Sequence, residues 1–372
     1  MGIFMCLQQS NTISQIFSKL FIRKRILLTF LLVFTSCWHN PQAAEEPNLD
    51  LDGFISFFEL YEAYCPYFAH KEIDWKADIG EYNQEVFDCT SEDELVAIVV
   101  EMLANIQDTA IYLQRLENDE VVDTIYPYSK DYEVNYNMNV LVENYLEPNG
   151  WLGWEEGYSE GLGWCNPEQF PYIFLDTIAK TADSFSQLDA FIAECNDLEL
   201  PAVIVDLRMN PHGYYGEYHA VGRQFIGRFA EKVYPGAIYR SRSGSEYDQY
   251  ADLRPSVKVM GPEQYTGQVI VLVGENCSNM TENMLANFRN FPNVVILGDT
   301  TRGNVSYMQT SQLTTNWRFS IVTETILTYQ HHWIEGNGIY PDIAVEATEA
   351  DFAAGVDPVL DYAIEMLALC KP

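Results

Sequence analysis

Basic residues are scarce in this chain of 372 residues: 21 lysines and arginines stand against 54 aspartates and glutamates, a formal net charge of -33. A chain so acidic lacks the cationic surface that displaces counterions from nucleic acid, which argues against nonspecific nucleic-acid binding. The same deficit argues against electrostatic docking on anionic lipid. The apolar run over residues 26–34, broken only by Thr29, is too short to span a bilayer as a stable helix. No two of the eight cysteines have CxxC spacing, so no zinc or redox motif is present.

What is there begins with an export pattern. Lys19, Arg23, Lys24 and Arg25 form a positive segment ahead of that apolar run, and together they read as a secretory signal over residues 1–36. Phe34-Thr35-Ser36-Cys37 follows directly and resembles a bacterial lipobox, with Cys37 the lipidated residue, although Phe34 replaces the usual aliphatic side chain. The alternative is ordinary cleavage near Ala43-Ala44, giving a soluble secreted protein. Either way the expected location is outside the cytoplasm, in the first case on a bacterial membrane held only by an N-terminal lipid anchor. Cys65, Cys89, Cys165, Cys195, Cys277 and Cys370 then remain, an even number compatible with disulfides in an oxidising compartment.

About 335 residues are left after Cys37, enough for one large or two modest domains. With 48% hydrophobic and 14% aromatic residues a substantial core is available. Residues 37–53, with Pro41, Pro47 and several acids, read as a tether. Apolar residues at helical spacing, among them Leu95, Val96, Val99, Met102, Leu103 and Ile106, predict a helical domain over 54–118. Residues 119–170 are rich in Tyr, Trp, Gly and Asn without a clear period, and read as short strands and loops. From residue 171 to the end, strand runs at 172–178, 202–207, 268–273 and 294–297 alternate with helical stretches at 185–195, 218–229 and 282–291. That alternation marks an α/β domain, closed by a long strand at 318–327 and an amphipathic helix at 356–367.

Four motifs in order carry a resemblance. Asp206-Leu207-Arg208-Met209-Asn210-Pro211-His212-Gly213 is similar to the DLRxNxGG loop of the tail-specific (C-terminal processing) serine peptidases. The segment from Leu272 to Glu282, with the turn Gly298-Asp299-Thr300-Thr301-Arg302-Gly303, resembles their nucleophile segment and GExTxG turn. Gly336-Asn337-Gly338-Ile339-Tyr340-Pro341-Asp342-Ile343 resembles their GxGIxPDI segment. Upstream, Lys71-Glu72-Ile73-Asp74-Trp75 and Leu103-Ala104-Asn105-Ile106-Gln107-Asp108 resemble the subgroup akin to tricorn protease and the retinoid-binding protein repeats. The resemblance covers roughly residues 55–365, without room for a PDZ domain. It implies an α/β fold with a Clp protease/crotonase-like β-β-α core and an N-terminal helical subdomain. Function must still be argued from the site.

Residue by residue, the family's chemistry is missing. The nucleophile position, three residues before Glu282, is Asn279; the Lys base position of one branch is Asn304; the His base position of the other is Ala110. Neither an amide nor a methyl takes a proton from a hydroxyl at neutral pH. In the oxyanion loop, formed here by Arg208, Asn210 and Gly213, the first glycine is replaced by His212. A rescue mechanism would use Ser278, one position off, with His212 as base.

Weaker signals remain. Asn48, Asp50, Asp52 and Glu59 fit an EF-hand spacing and make a calcium candidate, against a tether ending in an Asp52 N-cap. His331-His332 reads as a solvated pair on a strand rather than a metal site. Three functions stay open: a non-catalytic binder of a peptide or protein chain end, a divergent serine endopeptidase using Ser278, and a small hydrophobic-ligand binder walled by residues 119–170. None calls for a cofactor.

Overall fold

The computed structural model describes residues 51–133, 135–159, 161–176, 182–209 and 218–370. Three helices open it: α1 (Asp52–Tyr64), α2 (Trp75–Asp88) and α3 (Glu92–Ala104). The start of α3 is fixed by its cap. Ser91 Oγ accepts the Glu94 backbone N–H at 3.3 Å, and the Glu94 carboxylate accepts the Thr90 N–H at 2.7 Å. The buried face of α3, including Leu95, Val96, Val99, Met102 and Leu103, is the one its spacing predicts.

These helices do not own their core. Phe57 of α1 meets Phe319 edge-on at 5.1 Å, and the Tyr61 hydroxyl donates to the Ser320 carbonyl at 2.8 Å. The helical stretch also ends sooner than its spacing suggests, because Leu113–Glu117 (β1) and Glu120–Ile125 (β2) form a hairpin. β1 pairs antiparallel with the long strand β14 (Trp317–Leu327). β13 (Tyr307–Gln312) flanks β14, and β8 (Ile238–Arg242) and β9 (Tyr250–Leu253) extend the same sheet. Of these, only the strand at β14 was legible as such in the apolar pattern. Tyr307–Gln312 and Tyr250–Leu253 are half-exposed edge segments with too few buried positions to declare themselves.

The second sheet is the α/β core. Its order is β15 (Ile343–Ala344), β12 (Val294–Gly298), β11 (Gln268–Val273), β6 (Ala202–Asp206), β5 (Tyr172–Leu175), β4 (Leu162–Trp164) and β3 (Tyr158–Ser159). The first five run parallel; β4 and β3 close the edge antiparallel. Both faces are covered. Val203, Val205, Val269, Val271 and Val273 pack with α4 (Ala182–Asp197), α5 (Tyr218–Ile226) and α6 (Met280–Phe288). Ile204, Ile270 and Leu272 point the other way, onto α7 (Pro358–Cys370) and Leu141. A strand buried on both faces reads as a continuous apolar run, which is why AVIVD and QVIVLV stood out. Each such side chain contributes roughly 1.5–3 kcal/mol on burial. The fold is therefore mixed α/β, as expected.

All six described cysteines are free thiols, so the even count does not translate into disulfides. Cys65, Cys165, Cys195 and Cys277 sit in the core, where burial pushes each thiol up to about 12 and keeps it inert.

Candidate active site

Parallel strands deliver their loops to one edge, and here the ends of β6, β11 and β12 meet. The first loop is anchored by Arg208. Its fully buried guanidinium binds Asp206 at 2.7 Å and Asp357 at 2.9 Å, and it donates to the Asn135 carbonyl at 3.1 Å. Those partners hold the loop in place and leave Arg208 turned away from any open surface. The second loop hangs on the first: the Asn276 amide donates to the Arg208 carbonyl at 3.0 Å and the Cys277 thiol to the Leu207 carbonyl at 3.2 Å.

That second loop ends in a sharp strand-to-helix turn. Asn279, the residue before α6, has φ 49° and ψ -105°. A non-glycine side chain held there costs about 1–3 kcal/mol and persists only where its surroundings impose it. They do so here. The Asn279 N–H donates to the Asn304 carbonyl at 2.7 Å, and the Asn279 carbonyl accepts the Asn283 N–H at 2.9 Å. Such an elbow lifts one side chain above a helix N-terminus, where developing negative charge is stabilised. Here the lifted group is a carboxamide. Ser278, one residue earlier, is 3% exposed.

The third loop is tied to α6 by Glu282. Its carboxylate takes the Thr301 hydroxyl, the Gly303 N–H at 2.6 Å and the Asn304 N–H at 2.8 Å. Burial raises Glu282 to about 7 despite those three donors. Gly303 has φ 76°, and a Cβ there would stand 2.7 Å from the Gly338 nitrogen, so the turn can press against the 336–338 glycines only without a side chain. Asn304 Oδ1 is buried with no hydrogen-bond partner among the described residues.

A buried polar cluster joins this loop to the N-terminal region. Ser306 Oγ donates to Asp108 Oδ2 at 2.5 Å and lies 2.5 Å from the Tyr67 hydroxyl and 3.3 Å from Glu335 Oε2. Lys71 Nζ stands 4.0 Å from Glu335 and donates to the Ile106 carbonyl at 2.8 Å. Burial holds both Asp108 and Glu335 above the usual carboxylate range; Glu335 is pushed further by Asp108, and Lys71 opposes both shifts. Asp108 Oδ1 also accepts the Ala110 N–H at 2.8 Å. The positions of Asn279, Asn304 and Ala110, far apart in sequence, are thus linked through Asn304, Ser306 and Asp108. Glu335 directly precedes the Gly336–Ile343 motif and carries no sequence signal of its own, whereas Lys71 and Asp108 lie inside the upstream motifs.

Residues 170–345 match the sequence profile described as Peptidase family S41. This segment is similar to peptidase family S41. Among solved structures, the chain is similar to a candidate peptidase from Parabacteroides merdae, at 23% identity and TM-score 0.71 over 85% of this chain and 96% of that one. That similarity shows the fold. It is also similar to a photosystem II D1 C-terminal processing protease, at 15% identity and TM-score 0.38 over 47% and 42% of the two chains. A lipoprotein from Streptococcus agalactiae follows at 11% identity and TM-score 0.47 over 90% and 100%. No curated protein matches the chain. Within the matched segment the elbow residue is Asn279, and the turn hydrogen-bonded to it carries Asn304.

Other candidate residues fall elsewhere. Asn210, His212 and Gly213, like Cys37, Asn48 and Asp50, lie outside the described residues. Asp52 is the first residue of α1, with Leu51 at the N-cap, so the expected Asp52 cap is not formed. Glu59 lies on the same helix, roughly 10 Å along its axis from Asp52, so the two cannot wrap one ion. His331 and His332 stand in a turn, not a strand. His331 contacts Arg254 at 3.2 Å and His332 the Gly338 carbonyl at 3.1 Å.

Proposed function

We propose that this chain is an exported protein that binds a peptide or protein chain end in an S41 cleft without cutting it. The observation carrying this reading is Asn279 at the strained elbow. The backbone there is built to present a nucleophile, and the residue presented has no hydroxyl or thiol. Asn304 and Ala110 deprive the site of a proton acceptor at both family base positions. The elements that would cradle an extended chain are kept by the hydrogen bonds of Glu282, Arg208 and Asn276, so binding survives where bond cleavage does not. In this reading residues 1–36 are a signal peptide, Cys37 carries the lipid, residues 37–53 are a tether, and 54–118, 119–170 and 171–372 form the exported body. It needs no cofactor.

Two alternatives are weaker. Cleavage through Ser278 requires a side chain 3% exposed to reach a scissile bond from one position behind the elbow. A hydrophobic ligand fits poorly in a cavity walled by Lys71, Lys130, Arg302 and Glu335. The deciding experiment incubates the purified protein with an unstructured peptide and a fluorophosphonate probe, and follows thermal stabilisation by the peptide. Stabilisation with neither turnover nor labelling is expected; turnover abolished by Ser278→Ala would refute the reading.

A further inference from the structure

At the turn that leads into Asn304 lies a cavity of 370 Å³, and its charge is opposite to that of the molecule. Lys71, Lys130 and Arg302 line it, with His70 at the rim and Gly303 leading into Asn304. Eight of the fifteen described lysines and arginines have an ion pair. Arg302 and Lys130 have no ion pair among the described residues. Arg302 lies over the Tyr132 ring at 3.9 Å and donates its Nε–H to the Glu275 carbonyl at 3.3 Å. Its two terminal nitrogens have no hydrogen-bond partner among the described residues. Lys130 Nζ stands 5.8 Å from the centre of the same ring, and its chain neighbours Asp131 and Glu133 form no ion pair with it. Both cations thus contact the Tyr132 ring and line one cavity, where like charges repel unless something negative enters.

The one carboxyl lining the cavity, Glu335, does not cancel this charge. Burial and Asp108 favour its neutral form, and the nearer cation, Lys71, is already spent on the Ile106 and Gln107 carbonyls at 2.8 and 3.1 Å. His70 adds little charge, because burial and the Lys71 cation lower it while it stacks on Trp333 at 4.1 Å.

We propose that this cavity is a carboxylate subsite, in which Arg302 and Lys130 clamp a carboxylate borne by the peptide lying over the elbow. The proposal rests on the peptide-binding reading and deepens it. A planar guanidinium whose Nη1–Nη2 edge is free matches a carboxylate bidentately, and its placement over the ring restricts the plane in advance. A singly charged group suits the site better than a polyanion, which the net charge of -33 repels before it arrives. The carboxylate comes from either of two sources, the chain terminus or an acidic side chain.

The test titrates three pentapeptides into the full protein by calorimetry. One is acetylated pentaalanine amide, one the same peptide with a free C-terminal acid, and one the amide with a central glutamate. At least one acidic peptide is expected to bind at least tenfold more tightly than the neutral amide, and whichever does identifies the source. Arg302→Gln and Lys130→Gln should each erase that preference while leaving the neutral peptide's affinity unchanged, and thermal melting checks that both variants fold. Equal binding of all three peptides, unaffected by the variants, overturns the subsite and leaves peptide binding standing. The absence of any peptide binding overturns both.

Discussion

The backbone N–H of Asn279 donates to the backbone carbonyl of Asn304 at 2.7 Å, so the two residues standing where chemistry is expected are joined without either of their own side chains. Their side chains can be exchanged without breaking that link. Asn279→Ser alone supplies a hydroxyl without a base and is expected to give no turnover above blank. Asn279→Ser with Asn304→Lys and His212→Gly restores nucleophile, base and oxyanion loop together. The triple variant should exceed the single one by about 100-fold or more on a fluorogenic unstructured peptide. Equal rates would mean that the elbow no longer has the shape catalysis needs.

Glu282 ties stability to pH. Its carboxyl is raised from 4.5 to about 7 in the folded protein, so between those values the folded state holds a proton that the unfolded state has released. The contribution is fully present below about pH 4.5 and is lost as pH rises through about 7, amounting to about 3 kcal/mol. Denaturant melts of wild type and Glu282→Gln from pH 4 to 8 should therefore differ in slope across that window, with the variant flatter. Parallel curves would remove Glu282 as the source.

Arg208 sits between Asp206 and Asp357 with no exposure, so removing one partner strands a buried charge. Asp357→Ala is expected to cost about 3–5 kcal/mol. The loss should read out as a lower denaturation midpoint with an unchanged urea m-value. An effect below about 1 kcal/mol would show that water reaches the pair.

Export through Cys37 has a direct readout. Metabolic labelling with a fatty-acid analogue should tag the wild-type chain and leave Cys37→Ser unlabelled. Equal labelling of the two, or none in either, removes the anchor.

The parallel strands were legible because both of their faces are buried. AVIVD and QVIVLV need no partner to announce themselves, and α3 declared its apolar stripe. Asn279, Asn304 and Ala110 were legible as losses because flanking motifs fixed their positions. The cluster of Lys71, Asp108, Ser306 and Glu335 was not, since its members come from four separate segments and meet only in three dimensions. The cation cavity was hidden for a related reason. Lys130 and Arg302 look like ordinary surface charges until Tyr132 is seen between them.

Tyr61 finds its hydrogen-bond partner 259 residues further along the chain, at Ser320. During synthesis from the N-terminus, α1 and its aromatic neighbours therefore emerge long before the strand that covers them exists. Until β14 arrives, the faces of Phe57 and Tyr61 that meet Phe319 and Ser320 have no partner. A chain ending before residue 317 would have no β14 to close that core.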